Sequence, residues 1–191
     1  MIFMALSNKK PKIALKALKN NIIGKNENII RNSLAVVSII SKEKPKLVAK
    51  LVKDVVSLFS SKNERLYSEV VDSLIILSKK NGAVVGNNIT NAIKNSINYK
   101  RGGKIGLMKV GFEIAKTNPS SLKNAVPRLS RELNNKRWEI REEAANLLGV
   151  IGEDNVELVK ESIPGLNRLK NDSDDLVRNS AVRALELINI N

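Results

Sequence analysis

The chain has 191 residues and a formal net charge of +14, from 33 Lys and Arg against 19 Asp and Glu. It contains no Cys and no His, which excludes disulfides, thiol nucleophiles and imidazole-based metal or acid–base sites. Apolar residues form 42% of the sequence, which favours a folded chain over a disordered one.

The sequence lacks the features of a membrane protein. No apolar run approaches the ~20 residues that a membrane span needs. Residues Met1 to Leu6 are apolar, but basic residues follow them instead of preceding them, which is the wrong order for a secretory signal. We therefore expect a soluble, cytoplasmic protein with no membrane partner, no metal and no cofactor.

One sequence position recurs along the chain at intervals of 36, 37, 37 and 37 residues. It is occupied by Arg31, Tyr67, Lys104, Arg141 and Arg178. A period in this range is typical of a helical solenoid, in which each unit is a pair of helices. The period predicts a single domain of five units, at approximately 8–43, 44–80, 81–117, 118–154 and 155–191.

The first helices of units one and two carry rows of lysines. The spacing i, i+4, i+7 places each row on one helix face: Lys12, Lys16 and Lys19 in unit one, and Lys46, Lys50 and Lys53 in unit two. A solvated helix face is the ordinary explanation of such rows. A surface that attracts an anionic partner is the alternative, so these six lysines are candidate binding residues.

A third basic cluster lies at the turn of unit three. Lys100, Arg101 and Lys104 surround Gly102 and Gly103. Backbone N–H groups of such a glycine-containing turn, together with a helix N-terminus, are able to meet a phosphate. The three basic residues are therefore candidate anion-binding residues, although the loop lacks a complete phosphate-loop pattern.

Units four and five show the helix pair most clearly. In unit four, apolar spacing predicts a first helix over Ser120 to Leu133, a polar turn, and a second helix over Trp138 to Ile151. Unit five repeats the plan, with Pro164 standing 37 residues after Pro127. Strand signals are absent, since alternation is weak and aromatic residues make up only 3% of the chain.

These motifs resemble those of a known family. The segment from Asp172 to Ala181 resembles the heart of a HEAT repeat, and so does the segment from Ile140 to Gly152. The resemblance to the HEAT-repeat (armadillo-like) family covers nearly the whole chain. It implies an all-α fold, a right-handed α-solenoid of about five helix pairs, with the first helices on the convex side and the second helices on the concave side.

The resemblance also implies a role for the recurring arginine. It would lie at the start of each second helix, near acidic turn residues such as Asp172 and Asp174. The favoured interpretation is a ladder of Arg–Asp pairs that fixes the turns. The alternative is a row of arginines that awaits an anion.

The positive charge is concentrated in the first three units. Residues 1–117 hold 22 Lys and Arg against 7 Asp and Glu, whereas residues 118–191 hold 11 against 12. Such asymmetry indicates an acidic partner for the basic half. The leading hypothesis is a non-catalytic scaffold for protein–protein interaction, with an acidic protein as partner. The alternative is sequence-independent binding of the DNA or RNA backbone through the basic half.

Two further hypotheses concern the fourth unit. Trp138 stands where the other units have polar residues, so it is expected to be partly exposed, either as an interface anchor or packed over the turn. A HEAT-like alkylpurine DNA glycosylase is the least favoured function. Such enzymes rely on a Trp-lined cleft with a catalytic Asp, whereas this chain offers one Trp, followed by Glu139, Glu142 and Glu143.

Overall fold

The computed structural model describes residues 9–61 and 63–188, and these residues form helices and turns without any strand. The expectation that Met1 to Leu6 is not a secretory signal concerns residues outside these ranges. The α-helices are α1 (Pro11–Ile22), α2 (Glu27–Glu43), α3 (Pro45–Val48), α4 (Val52–Ser57), α5 (Tyr67–Lys94), α6 (Arg101–Ala115), α7 (Val126–Glu132), α8 (Trp138–Asp154), α9 (Ile163–Leu169) and α10 (Asp175–Leu187). Short 3-10 segments are Ala49–Leu51, Leu58–Ser60, Glu64–Leu66, Ser96–Asn98, Pro119–Ala125, Val156–Leu158 and Lys160–Ser162.

The helices alternate between two layers. The first helices of the units are α1, residues 45–60, residues 82–94, residues 119–132 and residues 156–169. The second helices are α2, residues 67–80, α6, α8 and α10. Each unit therefore contributes one helical segment to each layer. This arrangement is the all-α solenoid that the sequence predicts.

The second and third units share one helix. The sequence predicts a unit boundary between residues 80 and 81, and α5 crosses it with a kink at Asn81, whose φ of −132° and ψ of 34° are not helical. The first helices of units one, two and four have a proline in their opening turn, at Pro11, Pro45 and Pro119. Unit three has no proline there to break the helix, and Asn81 alone departs from helical φ and ψ within α5. The Asn81 side-chain amide donates to the Pro45 carbonyl at 3.1 Å and holds the kink.

The predicted apolar stripes form the core. All members of two sets of equivalent second-helix positions are buried: Leu107, Ala144 and Ala181, and Ile114, Ile151 and Ile188. Neighbouring second helices approach closely where one of them has a glycine. A Cβ added to Gly149 would lie 2.7 Å from the Ala184 Cα, so α8 and α10 pack at a distance that only glycine allows there.

The recurring position fixes the turn between the two helices of its own unit. Three of its occupants donate to the backbone carbonyl six residues earlier in the chain. The distances are 2.6 Å from Tyr67 Oη to Ser61, 2.8 Å from Arg141 Nη1 to Asn135, and 2.7 Å from Arg178 Nη1 to Asp172. Tyrosine thus replaces arginine in unit two because its hydroxyl reaches the same type of acceptor.

Some occupants also join one unit to the next, and the pair of Arg141 agrees with the predicted Arg–Asp ladder whereas Arg31 pairs with a glutamate on a helix. Arg141 pairs with the Asp172 carboxylate of the following turn, and Arg31 pairs with Glu69 of the following unit. Asp174 has a different role from the one expected, because its carboxylate caps α10 by accepting from the Val177 and Leu176 amides.

Candidate functional site

The second helices line a groove. A cavity of about 390 Å³ opens along four of them in succession, from α5 to α10. Its apolar walls are Val71, Ile75, Phe112, Val150 and Leu187. Its polar rim is Lys109, Glu113, Glu143, Asn146 and Arg183. One cavity contacts four successive second helices only if these helices converge, so the second helices occupy the concave side.

A second, smaller cavity extends the groove toward the N-terminal units. It measures about 270 Å³ and lies between α5 and α6. Val71 and Lys109 line both cavities, so the two form one continuous surface. Ser68 and Asp72 add polar groups at this end of the groove.

The repeat itself places a polar row in the groove. Asp72, Lys109, Asn146 and Arg183 are spaced 37 residues apart, five residues after the recurring position. Equivalent positions of stacked units face the same way, so the four side chains follow one another along the concave side. This row was not predicted from the sequence, although the period of 37 residues contains the signal that could have located it.

The electrostatics of the rim centre on Glu143. Burial raises the pKa of this carboxyl, and the Lys109 ammonium, 3.7 Å away, only partly opposes the shift. Burial also raises the pKa of the neighbouring Glu142, and Asp174 adds to that rise. The groove therefore holds one carboxyl, that of Glu143, whose negative charge is incompletely balanced, and Glu142 lies next to it in the chain.

Two of the other rim side chains lack a partner within residues 9–61 and 63–188. The side chains of Asn146 and Arg183 form no hydrogen bond or ion pair with any residue that the structure describes. Asn146 is half-buried and Arg183 is exposed. An amide that is half-buried but unpaired has donor and acceptor capacity for a ligand.

The predicted lysine rows lie away from this groove. They are on the first helices, and all six members are exposed: Lys12, Lys16, Lys19, Lys46, Lys50 and Lys53. Lys19 lies 3.7 Å from Asp54 of the neighbouring unit. A role of these lysines in binding stays a prediction.

The basic cluster of unit three is held by acidic residues. Lys100 lies 3.0 Å from Glu64, and Arg101 pairs with Glu139. Lys104 lies 3.0 Å from Glu132, and their side chains are only 11% and 6% exposed. The structure thus corrects the expectation for Lys104, since its ammonium is enclosed in an ion pair instead of facing an incoming anion.

The two glycines of this cluster have a packing role. A Cβ on Gly103 would collide with the Phe59 carbonyl oxygen, and a Cβ on Gly102 would lie 2.8 Å from the Tyr67 ring. These contacts bring the first turn of α6 against the preceding unit. Gly103 is thus covered by the preceding unit, whereas anion binding by the exposed Lys100 and Arg101 stays a prediction.

Trp138 begins α8 and is 37% exposed, which agrees with the partial exposure expected from its position in the repeat. Its role as an interface anchor stays a prediction. Within residues 9–61 and 63–188, no group of three or more acidic side chains is placed to hold a metal ion. No helix in the same ranges is long and apolar enough to cross a membrane.

Comparison with known proteins identifies the architecture. No family model matches the chain, and none of the curated proteins is significantly similar to it. Among solved structures, an engineered protein matches with a TM-score of 0.65 at 15% identity, over 98% of this chain and 84% of its own. A designed armadillo repeat protein in complex with the peptide (KR)4 matches with a TM-score of 0.67 at 18% identity, over 98% and 85%.

The chain folds as an armadillo/HEAT-like α-solenoid. A further designed armadillo repeat protein, made for modular peptide recognition, matches this solenoid with a TM-score of 0.62 at 18% identity, over 98% of this chain and 86% of its own. The likeness covers nearly the whole chain, which confirms the predicted fold class. At these identities the likeness concerns the fold of the solenoid and not its ligand.

Proposed function

We propose that this solenoid is a non-catalytic scaffold that binds a polypeptide segment of a partner protein in the concave groove. One observation carries the proposal: a continuous groove combines an apolar cavity with a periodic polar row, in which Asn146 and Arg183 have no partner among the described residues. Two of the structurally similar solenoids are a peptide complex and a protein designed for peptide recognition, which supports this choice of ligand.

The groove has the chemistry that an extended peptide requires. The cavity between Phe112 and Val150 has room for a large apolar side chain. The Asn146 amide, which both donates and accepts, suits a peptide group in the ligand backbone. Arg183 and Glu143 offer charges of both signs at the rim. A polypeptide supplies apolar, amide and charged groups in one chain, so it satisfies all three features.

The ion pairing of an acidic residue on α8 also supports a scaffold. Glu139, the first glutamate of α8, is paired with Arg101 at the start of α6. This pair joins neighbouring second helices, so its first effect is to hold the concave surface together. It supports a structural role for Glu139 over the acid–base role that a glycosylase would need.

The charge distribution supports an acidic protein as the partner. The net charge of +14 and the exposed lysine rows of the first helices would attract an acidic protein over several ångströms. Such charge speeds encounter more than it sets affinity. Affinity would come from the groove, where burial of an apolar side chain and pairing of the free polar groups act together.

A peptide-display selection against the complete chain tests this proposal. The selected peptides are then measured against two double variants, Asn146→Ala with Arg183→Ala in the groove, and Asn167→Ala with Lys170→Ala on the first-helix side, where both residues are exposed. The groove variant is expected to bind about tenfold more weakly or worse, and the control unchanged. Equal affinities of the two variants for every selected peptide would contradict the proposal.

A further inference from the structure

A second concave feature lies on the first-helix side, away from the groove. We call it the basic cleft. It encloses about 890 Å³ between the C-terminal end of α5, residues 119–132 and the start of residues 156–169. Its basic members are Lys94, Lys123, Arg128, Arg131 and Lys160, against two acidic residues, Glu157 and Glu161. The basic cleft is therefore a local concentration of positive charge, and all its basic members except Lys94 belong to the half of the chain whose charges otherwise balance.

Several of these cations are available to a ligand. Lys123 and Arg131 are exposed and make no ion pair with any described residue. Arg128 is largely buried, and one of its nitrogens, Nη2, lies 2.6 Å from Glu132. Its Nε is buried and has no hydrogen-bond acceptor. Buried guanidinium donors are nearly always paired, so Glu132 leaves the donor capacity of Arg128 incompletely used.

The basic cleft also has an apolar wall. Ile97 lines it and is 64% exposed, the largest exposed fraction of any large apolar side chain that the structure describes. Val126, Pro127 and Leu158 continue this wall. A partner that covers Ile97 would remove its apolar surface from water and would at the same time meet the neighbouring unpaired cations.

We propose that the basic cleft binds an acidic polypeptide segment that carries a large apolar side chain next to its carboxylates. The carboxylates pair with Lys123 and Arg131, and the apolar side chain covers Ile97. A nucleic acid backbone fits less well, because phosphates gain nothing from the apolar wall. This surface is separate from the concave groove, so the scaffold would hold two polypeptide segments on opposite faces.

Charge reversal on the complete chain tests the proposal. The probe is a fluorescein-labelled synthetic peptide in which Asp and Glu alternate with Leu and Phe, followed by fluorescence polarisation. Lys123→Glu with Arg131→Glu is compared with Lys25→Glu with Lys42→Glu, which changes the net charge equally at two exposed lysines outside the basic cleft and outside the lysine rows. The cleft variant is expected to weaken binding about tenfold and the control less than about twofold. Equal weakening by both would show attraction by overall charge and would overturn the proposal.

The apolar wall provides an independent test. Ile97→Ser is compared with Ile23→Ser, which removes an isoleucine of similar exposure, 57%, outside the basic cleft. Only Ile97→Ser is expected to weaken peptide binding, by about fivefold, with the helical circular dichroism of both variants unchanged. Single-stranded DNA is titrated in parallel. Binding of DNA that depends on Lys123 and Arg131, with peptide binding indifferent to Ile97, would assign the basic cleft to nucleic acid and refute the proposal.

Discussion

Arg141 and Asp172 form a two-pronged ion pair that joins the fourth unit to the fifth. Arg141 Nε lies 2.8 Å from Asp172 Oδ2, and Nη2 lies 2.7 Å from Oδ1. The same guanidinium donates to the Asn135 carbonyl at 2.8 Å. One side chain therefore holds the turn of its own unit and the turn of the next, which fixes the angle between α8 and α10.

Loss of the Asp172 carboxylate is expected to be costly because the side chains of Arg141 and Asp172 are only 13% and 9% exposed. Asp172→Asn leaves the Arg141 charge without its partner, and we expect unfolding in urea to show a loss of about 3 kcal/mol. The exposed pair of Lys160 and Glu157 is the control, and Lys160→Ala should cost less than about 0.5 kcal/mol.

The pH dependence of this effect has a definite sign. The hydrogen bonds from Arg141 lower the pKa of the Asp172 carboxyl below its ordinary value. The stabilisation is therefore complete above the ordinary pKa and is lost as the pH falls through the lowered one. An Asp172→Asn deficit that persists unchanged at strongly acid pH would show that the pair is not its source.

Gly149 and Gly82 form a matched pair of helical glycines. A Cβ on Gly149 meets the Ala184 Cα at 2.7 Å, whereas a Cβ on Gly82 meets nothing within 4 Å. Gly149→Ala is expected to destabilise the chain by about 2 kcal/mol, since α8 and α10 must separate. Gly82→Ala is expected to stabilise it by about 0.5–1 kcal/mol through helix propensity. Thermal unfolding followed by circular dichroism measures both, and shifts of the same sign would contradict the packing described here.

Glu143 is expected to destabilise the fold when it is ionised. Burial raises its pKa, so the folded chain favours the protonated carboxyl. The chain is therefore most stable below the ordinary pKa of a glutamate, and this stability is lost as the pH rises through the raised value. Glu143→Gln should therefore be more stable than the unmodified chain at neutral pH, and equal to it in acid. Glu153→Gln, on an exposed position of the same helix, is the control and should change stability little at either pH.

The lysine rows are expected to attract polyanions without sequence preference. Charge reversal at Lys46, Lys50 and Lys53 should weaken binding to a DNA duplex and flatten its dependence on salt, while helix content stays constant. Binding of peptides in the concave groove should be unaffected at moderate salt, because these lysines lie on the first helices. DNA affinity that survives the triple reversal would exclude this row as the site of attraction.

The sequence predicts the architecture well because the same spacing of apolar residues recurs in five units. The apolar positions at Leu107, Ala144 and Ala181 are buried as their spacing requires. The continuous α5 was missed because helix ends are encoded locally, and unit three lacks the proline that opens its neighbours. The pattern indicated two helices there, and only the backbone at Asn81 shows how they are joined.

The candidate site was harder to predict, because charge in a sequence does not reveal its partners. Lys104 belongs to a basic run, yet Glu132, 28 residues later, encloses it in an ion pair. The residues of the concave groove are chemically mixed: Asp72, Lys109, Asn146 and Arg183 share a position in the repeat but no common chemistry. A search for one residue type at each repeat position misses such a row. A search for any polar residue at the same position of every unit finds it.

Hydrogen–deuterium exchange of the complete chain, with and without a display-selected peptide that contains no Asp or Glu and therefore lacks the carboxylates for the basic cleft, tests the central claim most directly. Binding in the concave groove should slow exchange in α6, α8 and α10, and leave residues 119–132 and 156–169 unchanged. Protection confined to those first helices, with no change in α8, would contradict the assignment of the groove as the binding surface.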